Sequence, residues 1–147
     1  MSPQALRSWC LARPGAVEEF PFGPETSVFK VAGKIFAISA LDSLPLRVSA
    51  KCEPELAEQL RATYSAVKPG YHLNKRHWNT ITLDGSVPDA TLLDMLEDSY
   101  DLVVAGLPRA TRERFLGIVI AESERLDRAI DRVLNSPPVQ APARRAS

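Results

Sequence analysis

The segment Tyr71–Thr80, YHLNKRHWNT, carries the side chains in this sequence that are best suited to chemistry. It holds both histidines of the chain, two adjacent cations and a tryptophan. Such a set could bind a metal through imidazole nitrogen, transfer protons through histidine, or contact a nucleic acid through cations and an aromatic ring. Each of these three chemistries makes a different demand on the neighbouring residues.

The histidine spacing argues against a metal site. His72 and His77 are five residues apart, with no Cys, Asp or Glu between them. A zinc site needs four ligands, or three and a water molecule, and two histidines on one helix face lie four apart. Lys75 and Arg76 would also repel a cation from this segment. We therefore expect no metal and no cofactor.

Catalysis is equally poorly supported. A histidine base needs an orienting partner and a nucleophile or substrate within reach. Ser65 precedes the segment and Asp84 follows it, but neither spacing matches a nucleophile elbow. The chain also lacks a glycine-rich phosphate loop. We expect a protein that is not an enzyme.

Nucleic-acid binding fits the segment better. Cations position phosphates, and planar rings stack on bases. Asn74 can shape the turn by bonding the neighbouring backbone. An alternative remains open, in which Leu73 and Trp78 are core anchors and the cations are only solvated; for Trp78 alone the core is favoured. The candidate binding residues of this segment and its approach are Lys68, His72, Asn74, Lys75, Arg76, His77 and Trp78.

Alternating strands add a second candidate surface. LRVSAK (Leu46–Lys51) and NTITL (Asn79–Leu83) alternate apolar and polar residues, which is typical of a sheet with one buried and one wet face. We expect the wet face to present Arg47, Lys51, Thr80, Thr82 and Lys30. The buried face is expected to comprise Phe29, Val31, Phe36, Ile38, Leu46, Val48, Ile81 and Leu83.

The remaining elements give the architecture. Ser2-Pro3 is a typical helix start, Gly33 suits a tight hairpin between two strands, and Gly106 with Pro108 predicts a stop or a kink in a long apolar-striped helix. The segment Ala16–Glu25 is predicted to be irregular, with Phe20 and Phe22 plugging the domain edge. The order α, β, β, β, α, β, α and a further helix predicts an α+β domain, with a mostly antiparallel sheet and helices on one face.

The C-terminal quarter of the chain is predicted to be separate from this domain. We place the α+β domain at residues 1–108, an amphipathic helical extension at 109–135 and a disordered tail at 136–147. The extension either packs back on the domain or forms a helix–helix seam in a homodimer. A protein-interaction or scaffold role through this helix is therefore the alternative to nucleic-acid binding.

Composition limits the classes of function that the chain can have. The chain has 147 residues and no formal net charge, with ten Lys or Arg against seven Asp or Glu in residues 1–82. Nucleic-acid binding would thus depend on a local patch rather than on bulk charge. Cys10 and Cys52 are isolated and read as reduced core residues of a cytoplasmic protein. With no apolar run of membrane-spanning length, we expect no membrane association.

Four stretches of the sequence together resemble the MmcQ/YjbR-like family. They are ARPGAVEEFPFG, FKVAGKIFA, KPGYHLNKRHWNTITLDGSVPD and SYDLVVAGLP, and the resemblance covers about residues 1–108. The third is the most specific, because its histidines, Asn74, Lys75 and Trp78 fall on the family pattern. The resemblance implies a CyaY-like α+β fold and a DNA-binding role through wing-like elements. Frataxins share that architecture, but the acidic first helix that binds iron in them has no counterpart in SPQALRSWCLA.

Overall fold

A computed structural model describes residues 1–70 and 72–116 of the protein. The elements in these ranges alternate between short strands and helices. In chain order they are α1 (Pro3–Leu11), β1 (Ala16–Glu19), β2 (Ser27–Val31), β3 (Lys34–Ser39), β4 (Arg47–Lys51), α2 (Pro54–Thr63), β5 (Val67–Pro69), β6 (Trp78–Thr82), α3 (Asp89–Ala105) and α4 (Arg109–Leu116).

The strands form one six-stranded sheet in the order β1-β2-β3-β4-β6-β5, and every neighbouring pair is antiparallel. Helices α1, α2 and α3 contribute Leu6, Leu56 and Leu96 to a single apolar core shared with the strands. Because one core joins all three helices, they lie on the same face of the sheet. This confirms the predicted α+β class and the mostly antiparallel sheet.

Local signals at the start of the chain act as predicted. The Ser2 hydroxyl accepts a hydrogen bond from the Ala5 amide at 3.1 Å, and Pro3 occupies the first turn of α1. The helix then buries Leu6 and Cys10 completely. The β2–β3 hairpin turns through Ala32 and Gly33, both with positive φ, the backbone form that matches the twist of a two-residue hairpin.

A β-bulge in β3 places an extra aromatic ring in the core. Phe29 lies opposite Ala37, whereas Lys30 lies opposite Ile35, so Phe36 has no partner of its own on β2. Phe36 and Ala37 are both fully buried, which regular alternation would not allow. The Phe36 ring meets Tyr100 of α3 edge to face, with ring centroids 5.3 Å apart.

The bulge also corrects one sequence-based expectation. Ile38 was predicted to face the helices together with Phe36, on the basis of alternation. In the sheet it lies opposite Val28 and Ser49, one position beyond the Ala37–Ala50 pair that faces the core. Ile38 therefore lies on the other face, because the extra residue shifts the alternation by one.

Helix α3 is hydrogen-bonded directly into the sheet. The buried Ser99 hydroxyl donates to the Phe36 carbonyl at 2.6 Å and accepts from the Lys51 amide at 2.8 Å. The regular β3–β4 ladder has two pairs, Ala37 with Ala50 and Ile38 with Ser49. The serine thus occupies the next rung of that ladder and ties the helix to both strands.

Two other expectations for the domain edge are wrong. Ala16–Glu19 is not irregular but forms the edge strand β1, paired with β2. Phe20 and Phe22 do not plug the edge, because they are 50% and 66% exposed. The short strand β5, at the opposite edge, was not predicted at all.

Only some of the predictions for the C-terminal part of the chain concern residues that the structure describes. α3 ends at Ala105, Gly106 caps it, and α4 begins at Arg109, as the Gly106 and Pro108 signals indicate. The described residues include the predicted extension (109–135) only up to residue 116. The rest of the extension, its homodimer seam and the tail (136–147) lie outside the described residues. None of the helices in the described ranges combines the length and apolar character needed to cross a membrane.

Candidate nucleic-acid interface

The two faces of β6 are distinguished by Asn79. Its side chain is 2% exposed and contacts α2, where its amide donates to the Ala57 carbonyl at 3.4 Å and its oxygen accepts from Arg61 Nε at 2.7 Å. Asn79 thus faces the helices. Its neighbours Trp78 and Thr80 must lie on the opposite side, which we call the outer face.

This placement corrects the expected role of Trp78. A core position was favoured for its ring, but Trp78 lies on the outer face, half-buried, directly opposite Lys51 of β4. The backbone of Trp78 is held by a hydrogen bond next to the edge strand β5. The Trp78 carbonyl accepts this bond from the Gly70 amide at 2.8 Å. The ring is consequently an outer-face aromatic group held on a rigid strand.

The outer face of β4, β5 and β6 is basic. Arg47 and Lys68 are exposed and Lys51 is half-buried, and none of these three strands contains an Asp or Glu. The register places the cations around the tryptophan and a set of hydroxyl groups. The members of this basic surface are Arg47, Ser49, Lys51, Lys68, Trp78, Thr80 and Thr82.

The centre of the basic surface is a closed hydroxyl pair. Ser49 and Thr80 lie opposite each other, their side-chain oxygens are 2.8 Å apart, and each residue is 9% exposed. Thr80 is on the outer face as predicted, but it is nearly buried rather than wet. The pair therefore forms a flat floor between the longer side chains around it.

The other half of the outer face is different. Lys30 of β2, predicted to share the wet face, forms an ion pair with Glu19 of β1 at 2.9 Å. By register, Val28 and Ile38 lie on the same face and are apolar. Among the described residues, the positive charge of the outer face is thus concentrated toward β4, β6 and β5.

The loop between β5 and β6, described for residues 70 and 72–77, lies beside this surface. The Asn74 side chain accepts from the Arg76 amide at 3.0 Å, and the Asn74 carbonyl accepts from the His77 amide at 3.2 Å. The His77 carbonyl in turn accepts from the Cys52 amide at 2.7 Å, which joins the loop to the end of β4. The predicted role of Asn74 in shaping the turn is confirmed.

Arg61 of α2 also holds this loop and was missed by sequence reasoning. Its Nε bonds the buried Asn79 side chain, and its Nη2 donates to the Lys75 carbonyl. One guanidinium therefore links α2, β6 and the loop. An arginine in the last turn of an amphipathic helix gives no local signal of such a contact, because its partners lie on distant elements.

The loop's cations divide into two kinds. Lys75 is exposed, as expected, but its ammonium donates to the Gly70 carbonyl at 3.0 Å and so closes the loop across its base. Arg76 is exposed at the tip. His72 is exposed with a φ of 58°, a conformation uncommon for residues other than glycine, and His77 is half-buried. Leu73, predicted to be an inward anchor, is also only half-buried.

The two loop cations should therefore respond differently to removal. Lys75→Ala is expected to lower the free energy of unfolding by about 0.5–1.5 kcal/mol, because it deletes the hydrogen bond to Gly70. Arg76→Ala should change it by less than about 0.5 kcal/mol, as is usual at exposed sites. Urea denaturation of both variants measures this difference. Equal stability of the two variants would contradict the closing role of Lys75.

Three titratable groups outside the loop have pKa values that their surroundings shift. Burial raises the pKa of the Cys10 thiol and of the Tyr100 phenol to about 12 each, so both are neutral at physiological pH. The Ser86 hydroxyl and then the Ser86 amide hydrogen-bond Asp84 and lower the pKa of that carboxyl. Within residues 1–70 and 72–116, no cluster of three or more His, Cys, Asp or Glu side chains could hold a metal ion.

Comparison with known proteins identifies the family. The family model YjbR matches residues 11–102, a range that contains all six strands, the loop and most of α3. The chain belongs to the YjbR family. The Escherichia coli K12 protein YjbR, described as uncharacterised, is 39% identical over 114 residues, which are 77% of this chain and 96% of that protein. The E. coli O157:H7 protein YbdF, also described as uncharacterised, is 40% identical over 96 residues, 65% of this chain and 78% of YbdF.

Solved structures share the YjbR architecture. A crystal structure of a Deinococcus radiodurans protein with the domain DUF419 superposes with a TM-score of 0.74 and 44% identity, and the match covers 80% of this chain and 89% of that one. A Pseudomonas syringae protein superposes with a TM-score of 0.62 over 70% of this chain and 99% of its own. At 24% identity the second match supports the fold alone.

Proposed function

We propose that this YjbR-family protein is a non-enzymatic nucleic-acid-binding module of the cytoplasm. Its contact surface consists of the basic surface on β4, β5 and β6 and the exposed residues of the loop at 72–77. The main observation in support of this proposal is that Arg47, Lys51 and Lys68 lie on one sheet face around Trp78. The three strands that carry them contain no Asp or Glu. Cations positioned for phosphates beside an aromatic ring are the chemistry that nucleic acids require.

The geometry changes which predicted residues should contribute most. Arg47, Lys51, Lys68 and Trp78 belong to one surface, and Arg76 with His72 extends it at the loop tip. Asn74, Lys75 and His77 are engaged in holding the loop. We therefore assign direct contact to the first six residues and a supporting role to the last three.

The scaffold alternative would use different residues. It depends on an apolar seam in the extension after Pro108, most of which lies beyond residue 116. No contact in the described part of the chain favours it, so we do not propose it as a second function. Nucleic-acid binding, in contrast, can be tested by substituting the cations of the basic surface.

Salt-dependent binding tests the proposal. Labelled duplex and single-stranded DNA would be titrated with the full chain at two salt concentrations and followed by fluorescence anisotropy. We expect the binding constant to fall steeply with salt, by roughly 0.9 log unit per log of salt for each phosphate contact on duplex DNA and roughly 0.7 on a single strand. Lys51→Ala with Lys68→Ala should weaken binding and reduce this slope by about two contacts.

A matched double variant controls for net charge. Lys30→Ala with Lys34→Ala removes the same charge from β2 and β3, outside the basic surface. It should retain the binding and the salt slope of the parent. Absence of binding to either DNA at low salt would refute the proposed function, and equal weakening by the two double variants would refute the assigned surface.

A further inference from the structure

The position of Trp78 gives information on the kind of nucleic acid that this surface suits. The ring lies on the outer face, opposite Lys51, and the backbone below it is held by Gly70. A Cβ atom at Gly70 would lie 2.7 Å from the Trp78 Cβ, so the two strands approach as closely as they do only because residue 70 has no side chain. The tryptophan is thereby presented from a fixed strand rather than from a flexible loop.

The cations stand at distances suited to a chain that crosses the sheet. Lys51 is adjacent to Trp78 across the ladder, and Arg47 is four residues away along β4, about 13 Å at roughly 3.3 Å per residue. Lys68 is on β5, two strand spacings from β4, which is about 10 Å. Between them lies the floor formed by Ser49 and Thr80. The surface thus has one aromatic ring, with cations on β4 and β5 around it.

A double helix fits such a surface poorly. Its bases are stacked inside, and its major groove, about 12 Å wide, admits a helix or a two-stranded ribbon. Trp78 is on the second strand from the edge of a six-stranded sheet, on the sheet's face. A duplex laid there could bring phosphates to the lysines but no base to the ring. A single strand has unstacked bases whose flat faces can stack on an exposed aromatic side chain.

We propose that the basic surface binds single-stranded nucleic acid in preference to duplex, with one base stacked on Trp78. The flanking phosphates contact Lys51 and Lys68, and Arg47 extends the track along β4. This inference rests on the proposed function, because it names the ligand class of the same surface. The preference comes from stacking, while the cations contribute affinity to both forms.

The test compares four probes of equal length on the full chain: oligo-dT, oligo-U, a mixed-sequence DNA duplex and poly-glutamate. We expect oligo-dT or oligo-U to bind at least about fivefold more tightly than the duplex, the lower end of what one stacked base contributes. The relative affinity for oligo-dT and oligo-U decides between DNA and RNA. Poly-glutamate binding as tight as either oligonucleotide would overturn the inference, because it would indicate recognition of charge alone.

Substitutions at Trp78 separate stacking from charge. Trp78→Leu should weaken single-strand binding at least about fivefold and duplex binding clearly less, with the salt slope unchanged, whereas Trp78→Phe should retain part of the single-strand affinity. Phe22→Leu, at an exposed aromatic residue away from this surface, is the control and should change nothing. If Trp78→Leu fails to fold, the parent's strand preference and Trp78→Phe still decide.

The outcomes distinguish this inference from the proposed function. Duplex binding equal to or tighter than single-strand binding, or an unchanged single-strand affinity in Trp78→Leu, overturns the inference and leaves the proposed function standing. Failure of every oligonucleotide to bind at low salt overturns both.

Discussion

Replacing Phe36 by alanine should lower the free energy of unfolding by about 3–5 kcal/mol, the range for deletion of a large buried ring. Phe36 is fully buried, and its ring meets Tyr100 edge to face. Its removal would leave a cavity where β3 packs against α3, and the bulge cannot collapse into it without shifting the paired strands. Chemical denaturation followed by circular dichroism measures the loss.

Phe22→Ala is the matched control, because the same atoms are removed from a ring that is 66% exposed. We expect its free energy of unfolding to lie within about 0.5 kcal/mol of the parent value. A Phe36→Ala loss below about 1 kcal/mol, or similar losses in the two variants, would show that the bulged residue does not carry the packing of α3.

The second large effect is expected at Gly70. A Cβ there would meet Trp78 Cβ at 2.7 Å, the Trp78 carbonyl oxygen at 3.1 Å and Leu73 Cβ at 3.2 Å. Gly70 has no positive φ, so the obstacle is space and not backbone conformation. Gly70→Ala must push β5 and the loop away from β6. We expect about 1–3 kcal/mol of destabilisation, as for other overpacked sites, together with weaker nucleic-acid binding.

Gly106→Ala provides the comparison for this change. Gly106 caps α3 with a φ of −82°, and an added Cβ would find its nearest neighbours at 3.6 and 3.7 Å, which is ordinary contact. Its stability should stay within about 0.5 kcal/mol of the parent. Thermal denaturation of both variants suffices, and a Gly70→Ala protein as stable as Gly106→Ala would contradict the close approach of Gly70 and Trp78.

Sequence signals that act over a few residues predicted the structure well. Ser2-Pro3 caps α1, Ala32-Gly33 turns the hairpin, and Asn74 shapes the loop. In each case the interacting groups lie within three residues of one another, so composition and spacing contain the whole interaction. The α+β class follows from the same signals, because the order of elements leaves few arrangements that bury one core.

Features that depend on distant partners could not be predicted in this way. β1 is a strand because β2 lies beside it, although its four residues, AVEE, show little strand preference. The Phe36 bulge is visible only once β2 and β3 are paired, and it reverses the face assigned to Ile38. The contacts of Arg61 join a helix to a loop and a strand that fold beside it later in the chain.

The sequence predicted which residues form the candidate site better than it predicted where they lie relative to one another. Arg47, Lys51 and the cations of the loop were identified by residue type. Strand alternation placed Arg47 and Lys51 on the face away from the helices. Trp78 was assigned to the core because a large apolar ring usually is buried. Alternation from Ile81 and Leu83 does place Asn79 toward the helices and Trp78 on the other side, but the ring was expected to fold over the sheet edge and become buried; the contacts of Asn79 with α2 confirm the alternation.

The bond from Ser99 to the sheet bears on how strand register is fixed. Strands β3 and β4 share only two regular pairs, whereas β4 and β6 share five, and a slip of β4 by one residue would turn all its side chains to the opposite face. The Ser99 hydroxyl bonds Phe36 and Lys51 together and so stabilises one alignment over its neighbours. From the core side, the Ser99 hydroxyl therefore reinforces the alignment in which Val48 and Ala50 are buried and Arg47 and Lys51 emerge on the opposite face.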